Sequence, residues 1–419
     1  MIQAPKGTKD VLPSQSAAWQ HVEEVIRGIC KTAGFREIRT PVFEHTELFQ
    51  RGVGDTTDVV QKEMYTFFDK GDRSITLKPE GTAGAARAFI EHGLFNDPMP
   101  LKMYYLNCPV FRYEAPQSGR LREHHQFGIE VFGAKDATQD AEVIGLAMRV
   151  IAKLGIRDLS LNINSIGCPA CRPQYQERLK DFFRPKLQTL CKTCRERFDR
   201  NPLRMLDCKE DACKAACVGA PRMLDCLCED CETHFSKVKQ ALSDLQIDYN
   251  VDTGIVRGLD YYTKTVFEVI ATLPDGTHLT ACGGGRYDGL VETIGGPSVP
   301  GIGFGMGIER ILMAMENQGV GFVDDPLYAV YVASMNEDAH SAAFRLVDAL
   351  RRAGVSADCD HVGRSLKAQF KYAGKLSCAN VVIIGEEELA SGQYKLRNMR
   401  TKEEITLSAD AIVETLKTK

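Results

Sequence analysis

Arg257 stands three residues before Asp260, and Tyr261 and Tyr262 follow directly, in the stretch IVRGLDYYTKTVFEVI (Ile255 to Ile270). The second half of that stretch alternates as a β-strand does, so the polar groups sit at a strand entrance beside Gly258, where backbone can approach closely. A second cationic cluster is FRYE, Phe111 to Glu114, on a strand that runs into a loop carrying Arg120 and Arg122. A guanidinium on a rigid strand offers a planar fork to phosphate or carboxylate. A third is GIGFGMGIER, Gly301 to Arg310, where glycines alternate along a strand and Arg310 falls just inside the next helix. Bare backbone of that kind lets a planar ligand or a phosphate come close. Its spaced glycines superficially match a dinucleotide-binding pattern, but no acidic residue follows at the distance such a βαβ unit requires.

Carboxylates complement these cations. Lys78-Pro79-Glu80-Gly81-Thr82 forms one polar knot, and Gln126 and Glu130 alternate on one strand and so share a face. Buried carboxylates beside an amide suit an ammonium or a protonated ring. Taken singly, each cluster fits a solvated hairpin or a half-exposed sheet face equally well. Together they fit a pocket for a polyphosphate at one end and a zwitterion at the other.

The elements that must hold these groups are legible in outline. Trp19, Val22, Val25, Ile26 and Ile29 recur at helical spacing between Ser16 and Ala33, with Gly34 as a stop. FREIRT follows as a short strand ending on Pro41. From Ser74 to Gly133 the pattern reads as strands, including an antiparallel hairpin of Lys102–Glu114 and His125–Phe132. A helix over Thr138–Leu154 and a strand LSLNINS precede a cysteine-rich stretch. Further strands occupy Asp248–Ala281 around a Pro274-Asp275-Gly276 turn, and Ile308–Met315 reads as a buried helix. The pattern resets at Asp324-Asp325-Pro326. Beyond it, strands LYAVYVA and ANVVIIG alternate with helices Asp338–Ala353 and Leu366–Leu376, which predicts a separate α/β domain.

The 419 residues, 44% hydrophobic and 26% charged, exceed one compact core. A net charge of -4 and a pI near 6.2 give no global positive field, so a nucleic-acid partner must meet local patches. No apolar run is long enough for a bilayer and the first ten residues lack a secretion signal's apolar core, which predicts a cytoplasmic protein with no membrane partner. Ten of the 15 cysteines crowd between Cys168 and Cys231. In a chain without an export signal, thiols or metal ligands are expected rather than disulfides. The pairs Cys168-x-x-Cys171 and Cys191-x-x-Cys194 make a conventional tetrahedral zinc set, with Cys228 and Cys231 as a third pair. Cysteine as a small apolar residue of a helical insertion is the competing reading.

These segments together resemble the class II aminoacyl-tRNA synthetases. The opening helix and strand are similar to the class's first, dimer-forming motif, FRYE with HHQFGIEVFG to its second, and GIGFGMGIERIL to its third. RGLDYY (Arg257 to Tyr262), GGGRYDGL (Gly283 to Leu290), KGTKDVLP (Lys6 to Pro13) and LKPEGTAG (Leu77 to Gly84) single out the histidyl-tRNA synthetase family. The resemblance runs end to end. It implies an α+β catalytic domain on an antiparallel sheet (1–325), a helical cysteine-rich insertion within it (166–234), and a C-terminal α/β anticodon-binding domain (326–419). It further implies activation of L-histidine by ATP with Mg²⁺, transfer to tRNA(His), and a homodimer.

Position by position, the resemblance places Arg112, Arg257 and Arg310 as the catalytic arginines. It assigns Arg112, Glu114, Gly305 and Arg310 to ATP, and Glu80, Gly81, Thr82, Arg112, Gln126, Glu130, Arg257, Tyr261, Tyr262 and Tyr287 to histidine. Structural zinc on Cys168, Cys171, Cys191 and Cys194 is the expectation for the insertion, which by family position covers the acceptor stem. Lys367, Lys371, Lys375, Arg397 and Arg400 are candidates for tRNA phosphate contacts. Glu123 and His124 depart from the family's usual glutamine and phenylalanine. A rival with a similar fold is the synthetase-like regulatory subunit of ATP phosphoribosyltransferase, which typically lacks the C-terminal domain and erodes these arginines.

Overall fold

A computed structural model describes residues 1–417 apart from 56, 114–115, 117–120, 207, 209, 256–257 and 322–326. The chain divides into two compact units, Met1–Phe322 and Val323–Lys419.

The first unit is built on an eight-stranded sheet. Its strands lie in the order Arg36–Glu37, Leu101–Phe111, Glu123–Phe132, Gly301–Gly307, His278–Arg286, Thr263–Thr272, Leu159–Ser165 and Asn250–Val251. The six long strands are antiparallel, and only the two-residue strands at the edges pair parallel. FREIRT thus contributes two paired residues, Arg36 and Glu37, against Met103 and Tyr104, before Pro41 interrupts it. One sheet face is continuous apolar core: Phe127, Ile129, Val131, Ile302, Phe304 and Met306 are buried under helices. The opening helix, Pro13–Thr32, inserts Val22, Ile26 and Cys30 there. It starts three residues before the expected Ser16 because proline is tolerated in a first turn, where its missing N–H costs nothing.

One helix was not legible as such. Thr82–Glu91 lies inside the stretch that reads as strands, and seven of its ten residues are buried. A helix apolar on nearly every side has no polar face to reveal its period.

The insertion is helical, with Arg172–Phe183, Lys192–Arg200 and Asp211–Cys217 around a small core of Tyr175, Leu179, Phe183, Met205 and several cysteines. The helix Glu229–Asp244 leaves it and returns to the main core through Phe235, Val238 and Leu242.

The second unit has a five-stranded sheet, Ala357–Cys359, Val330–Ser334, Asn380–Ile384, Gln393–Asn398 and Glu404–Ser408, the first three parallel and the rest antiparallel. Helices Glu337–Arg352 and Leu366–Lys375 match the periodic segments to within a residue. Among the described residues no helix is long and apolar enough to cross a membrane.

Candidate functional site

The free face of the first sheet is floored by glycine. Register sets Gly303 opposite both Glu130 and Gly285, Gly305 opposite Gly128 and Gly283, and Gly307 opposite Gln126. In antiparallel pairing directly opposed residues share a face, so Gln126, Glu130 and six glycines look the same way while their neighbours fill the core. The hairpin continues this face through Tyr105, opposite Gly128, and Cys108, opposite Gln126, with a bulge between them where Asn107 takes φ +51°.

At one end the face is enclosed. Tyr105 packs between Gly81 and Gly128 so tightly that a Cβ on either glycine would overlap its ring. Tyr287 lies over Gly301 and Gly303 in the same way. Both hydroxyls donate to Glu130, Tyr287 to one carboxylate oxygen and Tyr105 to the other at 3.2 Å. Glu130 has no solvent exposure, and burial pushes its carboxyl up to about 8 despite the hydroxyls of Tyr287 and Thr82 beside it. Tyr261 and Tyr262 complete the box, their rings 5.5 Å and 6.4 Å from that of Tyr287. Glu80 accepts the Thr82 and Ala83 N–H groups, each at 2.7 Å, and so satisfies the start of the unforeseen helix. Burial raises its carboxyl too, against those N–H groups. Tyr261 donates to it at 3.4 Å.

Further along the face an open cavity of about 760 Å³ is lined by Arg112, His124, Gln126, Gly305 and Arg310. Arg112 is fixed by donating to the Pro79 carbonyl at 3.0 Å, with Glu63 at 3.8 Å. Arg310, in the first turn of Ile308–Asn317, donates to the Thr280 carbonyl at 2.9 Å. Its neighbour Glu309 takes the His125 backbone N–H at 2.9 Å and 3.0 Å, locking that helix to the hairpin. His124 is held down to about 4, first by burial and then by Arg112, so it stays neutral at ordinary pH. The cavity wall is thus cationic through Arg112 and Arg310, while the neutral His124 adds no charge of its own.

The folded chain brings Glu80, Gly81, Thr82, Glu130, Tyr261, Tyr262 and Tyr287 to the enclosed end, and Arg112, Gln126, Gly305 and Arg310 to the cavity. Arg257 and Glu114 lie outside the described residues. Tyr105 was not foreseen. The signal was available in the glycines two strands would set opposite an aromatic, but it needs the register and the bulge to be read. Arg122, by contrast, is tied back: its backbone N–H donates to the Gly7 carbonyl at 2.7 Å and its guanidinium stacks 4.4 Å from the Tyr113 ring centre.

The cysteines require a correction. Cys168, Cys171, Cys191 and Cys194 do not meet. The first pair joins Cys228 and Cys231, the second joins Cys208 and Cys213, and within each set the sulfurs lie within 4.8 Å of one another. Spacing identified the pairs, but the path of the insertion between them decides which pairs converge.

Against known families, residues 7–311 match the model described as histidyl-tRNA synthetase and residues 329–419 the model described as anticodon binding domain. A histidine–tRNA ligase of Acetivibrio thermocellus is 53% identical over 417 residues, covering 100% of both chains. The crystal structure of apo Staphylococcus aureus histidyl-tRNA synthetase superposes with a TM-score of 0.86 at 40% identity, covering 100% of both. A Bacillus halodurans structure described as an ATP phosphoribosyltransferase regulatory subunit/histidyl-tRNA synthetase shares the fold at 19% identity, with a TM-score of 0.62 and coverage of 92% of this chain and 98% of that one.

Proposed function

The chain belongs to the histidyl-tRNA synthetase family, and on that premise we propose that the enclosed end of the glycine-floored face takes histidine while the arginine-lined cavity takes ATP. The protein is an ATP-dependent ligase that joins histidine to tRNA, with a class II catalytic domain and an anticodon-binding domain. Full-length identity above half to histidine–tRNA ligases sets aside the regulatory-subunit reading.

The observation that carries the assignment of ends is Glu130 in its aromatic box. A carboxyl held near 8 is largely protonated before the ligand arrives, whereas free imidazole titrates near about 6.5. At neutral pH the pair therefore brings one proton to share, and a ring N–H or ring nitrogen always finds a complement on Glu130. An apolar side chain of the same size would offer that carboxyl no polar complement beyond the tyrosine hydroxyls, the mismatch that gives selectivity.

In the first step the histidine carboxylate attacks the α-phosphorus of ATP and pyrophosphate leaves; in the second the tRNA's terminal ribose hydroxyl attacks the acyl carbon of the adenylate, and AMP leaves as the acyl–phosphate bond breaks. Neither step calls for a protein nucleophile. Arg112 and Arg310 hold phosphate oxygens, Arg257 meets the charge that develops at the α-phosphate, and Gln126 orients the amino acid's main chain. Mg²⁺ enters with the nucleotide and offsets part of its charge. The thiolates of the insertion hold structural zinc. The working protein is a cytoplasmic homodimer acting on tRNA(His). Pyrophosphate exchange tests the reading: it is expected with histidine and not with proline, threonine or glycine, and near-normal exchange by Arg257→Ala would overturn the role of that arginine.

A further inference from the structure

The core of the insertion is small, and five of its twelve buried residues are cysteines. Modules of that size rarely hold together on apolar burial alone and need covalent or metal staples. Disulfides are not the staple, because bonded sulfurs stand about 2.05 Å apart whereas Cys168 is 3.6 Å from Cys171 and 3.9 Å from Cys228, and Cys191 is 3.9 Å from Cys208. Four sulfurs at about 2.3 Å from a tetrahedral ion lie about 3.8 Å from one another. The observed separations straddle that value. A four-iron cluster would hold its thiolates farther apart than the 4.8 Å limit of either set.

Each set also carries N–H donors aimed at sulfur: Cys228 N–H to Cys171 Sγ at 3.1 Å in one, Cys191 N–H to Cys213 Sγ at 3.3 Å and Cys194 N–H to Cys191 Sγ at 3.4 Å in the other. Such donors stabilise thiolate charge around a bound cation. Each set opens with a close pair at the start of a helix, Cys168/Cys171 or Cys191/Cys194, and receives its other two ligands from a later segment, which in the first set is a second such pair, Cys228/Cys231.

The two sets flank the catalytic face through arginines that lie close to them in the chain. Arg172, next to Cys171, donates to the Tyr262 carbonyl. Arg204, 8% exposed and four residues before Cys208, pairs with Asp260 at 2.9 Å, and Arg197, three after Cys194, pairs with Asp58 at 2.7 Å. Arg197 also donates to the Arg204 carbonyl at 3.2 Å. Cys191, Cys208, Arg197 and Arg204 line the same cavity as Arg112 and Arg310. The segment that carries Arg257, Asp260 and the two tyrosines is thus gripped from the insertion at both Asp260 and Tyr262.

We propose that the insertion carries two mononuclear tetrathiolate sites for a zinc-type divalent cation, Cys168/Cys171/Cys228/Cys231 and Cys191/Cys194/Cys208/Cys213. Given the functional reading above, the ions in them brace the wall of the cavity in which histidine is activated. Loading releases the thiol protons and fixes Arg172, Arg197 and Arg204 as positioning residues. The second site is the one that borders the nucleotide.

Full-length protein purified without chelator carries about two equivalents of zinc per chain, and Cys208→Ser and Cys228→Ser each leave about one. Protein grown on cobalt shows the thiolate-to-metal charge-transfer band and intense visible bands of tetrahedral sulfur ligation at the same stoichiometry. Arg204→Met leaves all eight thiolates in place, so it keeps both ions while raising the KM for ATP in pyrophosphate exchange about tenfold or more. Less than half an equivalent in the parent chain overturns both sites, and a cysteine variant that keeps two equivalents overturns its own cluster. An unchanged KM in Arg204→Met overturns the bracing role. A metal-free chain that still exchanges pyrophosphate with histidine refutes this inference and leaves the enzymatic reading standing. A doubly loaded chain inert toward histidine does the reverse.

Discussion

Glu130→Gln isolates the buried carboxyl at nearly constant shape. In the ligand-free chain Glu130 is raised from 4.5 to about 8, chiefly by burial. Its folded-state value lies above its unfolded one, so the stability it contributes is complete below pH 4.5 and is lost as pH rises through about 8. At about 1.4 kcal/mol per pKa step, the change across that window is on the order of 5 kcal/mol. Glutamine does not titrate. Urea unfolding of the first unit, followed from pH 5 to pH 9 without ligand, is therefore expected to show the parent losing several kcal/mol relative to Glu130→Gln as pH climbs. The same variant weakens kcat/KM for histidine in pyrophosphate exchange by about 10- to 100-fold, the worth of a hydrogen bond to a charged group, with the KM for ATP little changed. Saturating histidine should flatten the parent's pH dependence, because the bound ring supplies the missing partner. Parallel stability profiles for parent and variant would refute the claim that this carboxyl is held protonated by its surroundings.

Arg310→Ala removes a cation positioned in part by its contact with the Thr280 carbonyl; exchange should fall about 100-fold or more, read as kcat/KM for ATP. In Gly303→Ala the new Cβ meets the Ile129 carbonyl and the Tyr287 hydroxyl at 2.9 Å, so a destabilisation of about 1–3 kcal/mol and a collapse of histidine binding are expected by denaturation and exchange. Asp140 is fully buried against Arg286 and His234. Asp140→Ala takes the fully buried carboxylate from the 1% exposed Arg286 guanidinium, leaving it the part-exposed Asp288 at 3.2 Å, and should cost about 3 kcal/mol in urea unfolding. Burial alone would raise Asp140, yet His234 and Arg286 hold it below 3.8; its contribution is present above that pH and lost as the parent is acidified below it, a slope the alanine variant lacks.

Types and spacings in the sequence already determined a good deal: which segments are helices with a polar face, where the second unit's pattern begins, that Gln126 and Glu130 share a face, and that cysteines come in returning pairs. Those features are local, set by periods of two and 3.6 residues and by turn chemistry. The resemblance of RGLDYY and GGGRYDGL supplied the family. Only the tertiary structure decided the rest. The helix Thr82–Glu91 hid because its neighbours bury nearly all of it. Tyr105 became part of the site because strand register sets it over Gly128 and the start of the Thr82–Glu91 helix brings Gly81 against its ring. The cysteine pairs chose partners across the insertion, Cys171 with Cys228 and Cys194 with Cys208, through chain paths that no local pattern records. Long-range pairing is a property of closure and packing, and a linear sequence states it only once folded.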